Sequence, residues 1–197
     1  MKSQLRSFPI FVTTLTLCAL ASAPMRAGDD VPSLGSKVVI DLPDDQGKLI
    51  RTEDLSGKWL LVFFGYTSCP DICPTTLFEV AETLKKLGDF ASKIQPIFIS
   101  IDPERDQPRQ LREYVNSFDS RILPLAGSPD RTARSAHSFG VSYFKVPGLR
   151  AGDYTIAHST FMAVVGPEGG LVARLSTDRT SDQIVSQLRK LMDIGRS

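Results

Sequence analysis

Trp59-Leu60-Leu61-Val62-Phe63-Phe64, followed directly by Gly65-Tyr66-Thr67-Ser68-Cys69-Pro70-Asp71-Ile72-Cys73-Pro74, is the stretch whose reading decides the fold. The apolar run is short, continuous and bounded by Gly57-Lys58 and Gly65, as expected of a central strand covered on both faces. Beyond it Leu77, Val80, Ala81, Leu84 and Leu87 recur at helical spacing, and Pro74 suits a first helical position, so the pattern predicts a helix over 74–87. Cys69 and Cys73 are thereby delivered together to a helix N-terminus. Unpaired backbone N–H groups and the positive end of the helix dipole favour thiolate over thiol there.

Thiolates so placed exchange disulfides, attack a substrate or hold a soft metal. With three residues between them, both sulfurs fall on one face about one turn apart. That is close enough to chelate one ion and close enough to oxidise. A thioredoxin-type oxidoreductase normally has two intervening residues, so the spacing shifts weight toward metal and leaves redox chemistry open. The plain alternative, an inert disulfide in an exported protein, fits poorly at a strand-to-helix corner.

The 197 residues allow one domain with a real hydrophobic core and an N-terminal extension. Acidic and basic residues are interspersed at a formal net charge of +1, and no basic stripe points to nucleic acid. The expected partner is a protein or a small ion. Lys2 and Arg6 precede an apolar stretch over 8–23, the layout of a secretory signal, with Ala19-Leu20-Ala21 as a cleavage box. A retained membrane anchor is the alternative, although the stretch is shorter than the roughly 20 apolar residues a span needs. The expected division is therefore 1–26 as signal or anchor, 27–36 as a polar linker and 37–197 as the domain. Export would end in the periplasm or on the outer face of an inner membrane, or in the mitochondrial intermembrane space of a eukaryote. Cys18 lies in the apolar stretch, and Leu17 stands where a lipoprotein signal wants a small residue. Cys69 and Cys73 remain as the domain's pair, too few for a disulfide scaffold.

Val38-Val39-Ile40-Asp41-Leu42 and Lys48-Leu49-Ile50-Arg51 flank a turn and read as an N-terminal hairpin. After the cysteine helix, Pro96-Ile97-Phe98-Ile99-Ser100-Ile101 is a second buried strand, parallel to the first through a right-handed crossover. Sites in such sheets form beyond the strands' C-terminal ends, so the loop Asp102-Pro103-Glu104-Arg105-Asp106 should neighbour the cysteines. Its plain reading is a solvated turn whose Asp102 caps the next helix. Residues 109–118 and 131–139 read as helices, 122–125 as an edge-like strand and 141–145 as a strand. His137 is a helical residue with no ligand company nearby. Strands at 154–158, 159–165 and 171–175 follow, and residues 180–191 close the chain as an amphipathic helix.

This order is a thioredoxin-like layout: an α/β fold with a central mixed sheet flanked by helices and an N-terminal hairpin extension. In that layout the loop entering the second strand hairpin faces the cysteines and usually carries a cis-proline, whereas here it carries His158-Ser159-Thr160. Two thiolates and an imidazole suit copper, since soft sulfur favours Cu(I) and the mixed set also accepts Cu(II). The plain alternative for His158 is a hydrogen-bonded histidine at a strand entrance.

The motifs Phe63-Phe64-Gly65-Tyr66-Thr67-Ser68-Cys69-Pro70-Asp71-Ile72-Cys73-Pro74, Ser100-Ile101-Asp102-Pro103-Glu104-Arg105-Asp106 and His158-Ser159-Thr160 resemble the Sco/SenC copper-binding proteins of cytochrome c oxidase assembly. The similarity spans residues 32–192. It implies a thioredoxin fold, copper ligation by Cys69, Cys73 and His158, and delivery to, or reduction at, the oxidase's binuclear copper site. The implied partner is the copper-bearing subunit of the oxidase, or another copper or thiol-redox protein, with membrane attachment through the N-terminal segment. On that reading the protein is a metallochaperone with no turnover of its own. A thiol-disulfide reductase using Cys69 and Cys73 as its redox pair is the alternative, and a peroxide-handling thiol protein a third reading, for which Thr67 is available without an evident partner arginine. Two positions depart from the family pattern: Ala157 where an acidic residue commonly precedes the histidine, and Gly166 where an aspartate often precedes the hairpin proline.

Overall fold

The computed structural model describes residues 31–150 and 152–194; the expected signal or anchor, its cleavage box and Cys18 lie outside these. Strands β1 (Asp41–Pro43) and β2 (Leu49–Arg51) pair antiparallel as the N-terminal hairpin. Their turn is organised by Asp44, whose Oδ1 accepts from the N–H groups of Gln46 and Lys48 at 2.9 Å each. A short 3₁₀ turn (Thr52–Leu55) leads into β3 (Trp59–Gly65), of which every residue after Trp59 is buried.

Helix α1 (Ile72–Leu87) begins two residues earlier than the proline suggested, because Thr75 N–H already donates to the Asp71 carbonyl at 3.3 Å. Pro74 thus occupies the third helical position. The amide hydrogen it lacks is one a helix start leaves without an intrahelical partner anyway. The shift puts Cys73 inside the first turn while Cys69 stays in the loop. β4 (Ile94–Ser100) lies parallel to β3, in register from Trp59 opposite Ile94 to Gly65 opposite Ser100. Helix α2 (Pro108–Asn116) then returns the chain to the parallel edge strand β5 (Leu123–Leu125). Helix α3 (Pro129–Phe139) is capped by Ser128 at its start and by Gly140, at φ 73°, at its end.

Among the described residues β6 (Tyr143–Pro147) and β7 (Tyr154–His158) pair only with each other, while β8 (Phe161–Val165) and β9 (Leu171–Ser176) complete a five-stranded sheet ordered β5-β4-β3-β8-β9. β6 runs two residues later than the alternation over 141–145 indicated. Helix α4 (Ser181–Ile194) packs on α1, where Lys86 Nζ bridges to Asp182 at 2.8 Å.

Alternation along β3 sorts the core into two layers. Phe63 and Gly65 look toward Phe98, Tyr114 of α2 and Cys73 of α1, whereas Phe64 stacks edge-on against Phe139 of α3 at 5.2 Å. The mixed sheet with helices on both faces and a separate N-terminal hairpin is the α/β, thioredoxin-like architecture expected from the order of elements. No helix among the described residues is long and apolar enough to cross a membrane.

Candidate metal centre

The cysteine loop is a tight turn, closed by Cys69 N–H donating to the Tyr66 carbonyl at 3.2 Å. Cys69 is half-buried and Cys73 fully buried, both as free thiols, and the Cys73 N–H points at Cys69 Sγ at 3.4 Å. His158, the last residue of β7, lies across from them. One ligand atom from each of Cys69, Cys73 and His158 falls within 4.8 Å of the other two. Donors that bond a single ion at about 2.0–2.3 Å stand at most about 4.6 Å apart, so closing this set on one ion takes only a small movement.

Hydrogen bonding fixes what each donor presents. His158 Nδ1 lies 2.9 Å from the Ser159 carbonyl oxygen, which accepts only, so Nδ1 carries the proton and Nε2 keeps its lone pair. The ring packs edge-on against Tyr66 at 6.1 Å and tilted over Phe63 at 6.4 Å. The Cys69 thiol is lowered to about 5, chiefly by a hydrogen bond from the Cys73 thiol, against the opposing effect of burial; the Asp71 and Cys73 amides add to the lowering. Cys73 is pushed strongly up by the same thiol–thiolate bond and by its burial. One thiolate and one thiol therefore coexist at neutral pH. Cys69 is the more accessible sulfur and the one favoured as thiolate, and Cys73 the buried thiol beside it.

Backbone space is tuned to the same end. A Cβ on Gly65 would stand 2.8 Å from both Cys73 Sγ and a Phe98 ring carbon, so only glycine leaves room for the buried sulfur.

Asp102 and Asp106 do not sit in a solvated turn. Both are 1% exposed, and the helix that follows is entered through Gln107 and Pro108 with no side-chain cap, so the capping reading of Asp102 is corrected. Asp106 accepts from Thr67 Oγ1 at 2.6 Å, Ser100 Oγ at 2.6 Å and Thr67 N–H at 3.2 Å, tying the cysteine loop to the end of β4. Burial raises its carboxyl despite these donors. Asp106 and Tyr66 are site residues that the sequence alone did not single out. The available signal was a charged loop at the C-terminal end of a buried strand. His137 is exposed on α3, outside the cluster. Ala157 alternates away from His158 and pairs with Phe144, on the hairpin face opposite the histidine.

Fold and site together define a thioredoxin-like domain in which a CxxxC thiol pair faces a histidine rather than a cis-proline; no cis peptide bond occurs among the described residues. The SCO1/SenC family profile matches residues 39–193, and the chain belongs to that family. It is 35% identical over 167 residues to the mitochondrial protein SCO1 homolog 1 of Arabidopsis thaliana, covering 81% of this chain and 50% of that protein. Identity to the mitochondrial SCO2 homolog of Homo sapiens is 34% over 158 residues, covering 79% and 59%. The chain thus spans half to three-fifths of the length of these relatives. Among solved structures, Bradyrhizobium japonicum ScoI with copper bound superposes with a TM-score of 0.71 at 38% identity, covering 81% of this chain and 99% of that one.

Proposed function

We propose that the protein is a copper-binding assembly factor. It holds copper through Cys69, Cys73 and His158 and passes it to, or prepares the thiols of, the binuclear copper site of cytochrome c oxidase. The observation that carries this reading is the convergence of two sulfurs and one imidazole nitrogen within 4.8 Å, at the end of the sheet where a disulfide oxidoreductase would place its cis-proline. Copper is favoured by the donor chemistry, and the similar ScoI was solved with copper bound. The oxidase role rests on the family, one of cytochrome c oxidase assembly proteins. On this reading residues 37–197 are the working domain, and residues 1–26 export it or anchor it at a membrane surface. The mitochondrial names of the two relatives and the signal-like sequence agree with a compartment outside the cytoplasm.

Cys69 engages the metal first as thiolate, Cys73 releases its proton as it joins, and His158 Nε2 completes the set. Cys69 and His158, the two half-buried ligands, form the side open to an acceptor. The same thiols support a second reading as a reductase. Cys69 thiolate attacks a partner disulfide, one partner thiolate leaves, and Cys73, losing its proton, displaces the second. The products are two partner thiols and the Cys69–Cys73 disulfide.

Anaerobic copper titration of the reduced protein, with thiolate-to-copper absorption recorded, tests the reading. Cys69→Ser and Cys73→Ser are each expected to abolish tight binding, and near-stoichiometric tight copper in either variant refutes the site. His158→Ala separates the two readings: Cu(II) affinity falls strongly and Cu(I) affinity less, while exchange with a small disulfide stays within about tenfold, about 1.4 kcal/mol. Full oxidase assembly in cells carrying His158→Ala at ordinary copper levels favours the reductase.

A further inference from the structure

The histidine and the cysteines stand on parts of the protein that no β-ladder joins. β6 and β7 share no strand pairing with the five-stranded sheet that carries the cysteine loop, so sheet hydrogen bonds do not fix the height at which β7 presents His158. Besides the burial of Ile156 in the core, polar contacts at Asp102-Pro103-Glu104-Arg105 tie the hairpin to the body. Arg105 Nη1 donates to the Tyr154 carbonyl at 3.0 Å and its Nε to Asp102. Its guanidinium lies 3.8 Å from the centre of the Tyr154 ring. The Tyr154 hydroxyl donates to Asp102 at 2.7 Å, and Lys145 Nζ of β6 meets Glu104 at 2.6 Å. Nearer the ligands, Ile156 N–H donates to the Tyr66 hydroxyl at 3.3 Å, and the Tyr66 ring packs against both His158 and, at 5.8 Å, the same guanidinium.

Arg105 is therefore the side chain that touches all three parts: the loop through Asp102, the hairpin through Tyr154, and the ring that backs the histidine through Tyr66. We infer that Arg105 is a positioning residue, which holds the β6–β7 hairpin at the height where His158 meets the Cys69/Cys73 pair. Two features set it apart from a generic ion pair. Its fork serves two acceptors on different elements while its plane stacks on an aromatic ring, a combination lysine cannot reproduce. Its Nη2 is also buried with no protein partner among the described residues.

The inference takes the ligand set above as its site, and the test reads it with and without copper. In the reduced, metal-free full chain, nuclear Overhauser contacts between the His158 and Tyr66 rings are expected in the wild type, lost in Arg105→Lys and weakened in Tyr154→Phe. With copper, Arg105→Lys is expected to lower Cu(II) affinity by about 10- to 100-fold, as outer-shell partners of metal ligands do, and Cu(I) affinity by less. The substitution should cause no further Cu(II) loss when added to His158→Ala, because both act through one imidazole. If Arg105→Lys does not fold, Tyr154→Phe, which removes one hydroxyl, carries the same comparison. Ring contacts that persist in the folded variants, or losses that add fully to that of His158→Ala, overturn the inference. A wild type that binds no copper while the ring contacts respond as described leaves the positioning role standing and removes the copper reading instead.

Discussion

Cys69 and Cys73, four positions apart, are held in opposite protonation states at neutral pH because one sulfur donates a hydrogen bond to the other. The Cys69 thiol is lowered to about 5 from a reference of 9.0, so folding favours its thiolate. The sign follows from linkage. A group whose pKa is depressed in the folded state contributes stability that is complete above its unfolded value and lost as pH falls toward its folded value. Between pH 9 and about 5 the reduced protein should therefore lose stability from this group on acidification. Alkylation by iodoacetamide, followed by mass mapping, should modify Cys69 ahead of Cys73 at pH 7 and slow with a midpoint near 5. A midpoint near 9 contradicts the assigned hydrogen bond. That Cys69 and Cys73 stand together was legible from their spacing, and that His158 stands opposite them from the order of elements. Asp106 and Tyr66 were not, because their roles depend on contacts across 39 and 90 residues of chain, with Thr67 and Ile156 respectively.

At the scale of elements, the corner between β3 and α1 is where strand, helix and sulfur share the least room. Gly65→Ala is expected to destabilise the protein by about 1–3 kcal/mol through overpacking, and to disturb the Cys73 sulfur as well as the Phe98 ring. Thermal unfolding and the rate of Cys69–Cys73 disulfide formation together check this; an unchanged melting temperature and rate show that the corner has slack. The hydrophobic pattern of α1 was readable, but its start was not. The proline promised a first position, yet the chain entered the helix at Ile72, where the Asp71 carbonyl already finds the Thr75 amide. The charged loop after β4 was placed beside the cysteines as expected, but its plain reading as a solvated, capping turn failed for a related reason. Aspartates near a proline suggest a cap, and only the fold reveals that Asp102 and Asp106 are turned inward to partners on other elements.

For the whole molecule, the order of strands and helices sufficed to place the cysteine loop beside the Asp102–Asp106 loop, since parallel strands joined by right-handed crossovers leave few alternatives. It did not show that β6 and β7 form a sheet of their own, because alternation marks a strand without naming its neighbour. Native-state hydrogen exchange should show the difference: amides of β6 and β7 opening at lower free energy than those of β3 and β4, which are paired on both sides. Equal protection throughout means that hairpin and sheet unfold as one unit. The separateness of that hairpin also bears on how such a protein changes trade. The thiols sit at the end of the central sheet, while the histidine proposed as the third ligand arrives on an appendage with its own hydrogen-bond ladder. An ancestral chain could thus gain or lose an appetite for metal by rewriting one ribbon of sequence, leaving the architecture that tunes its sulfurs untouched.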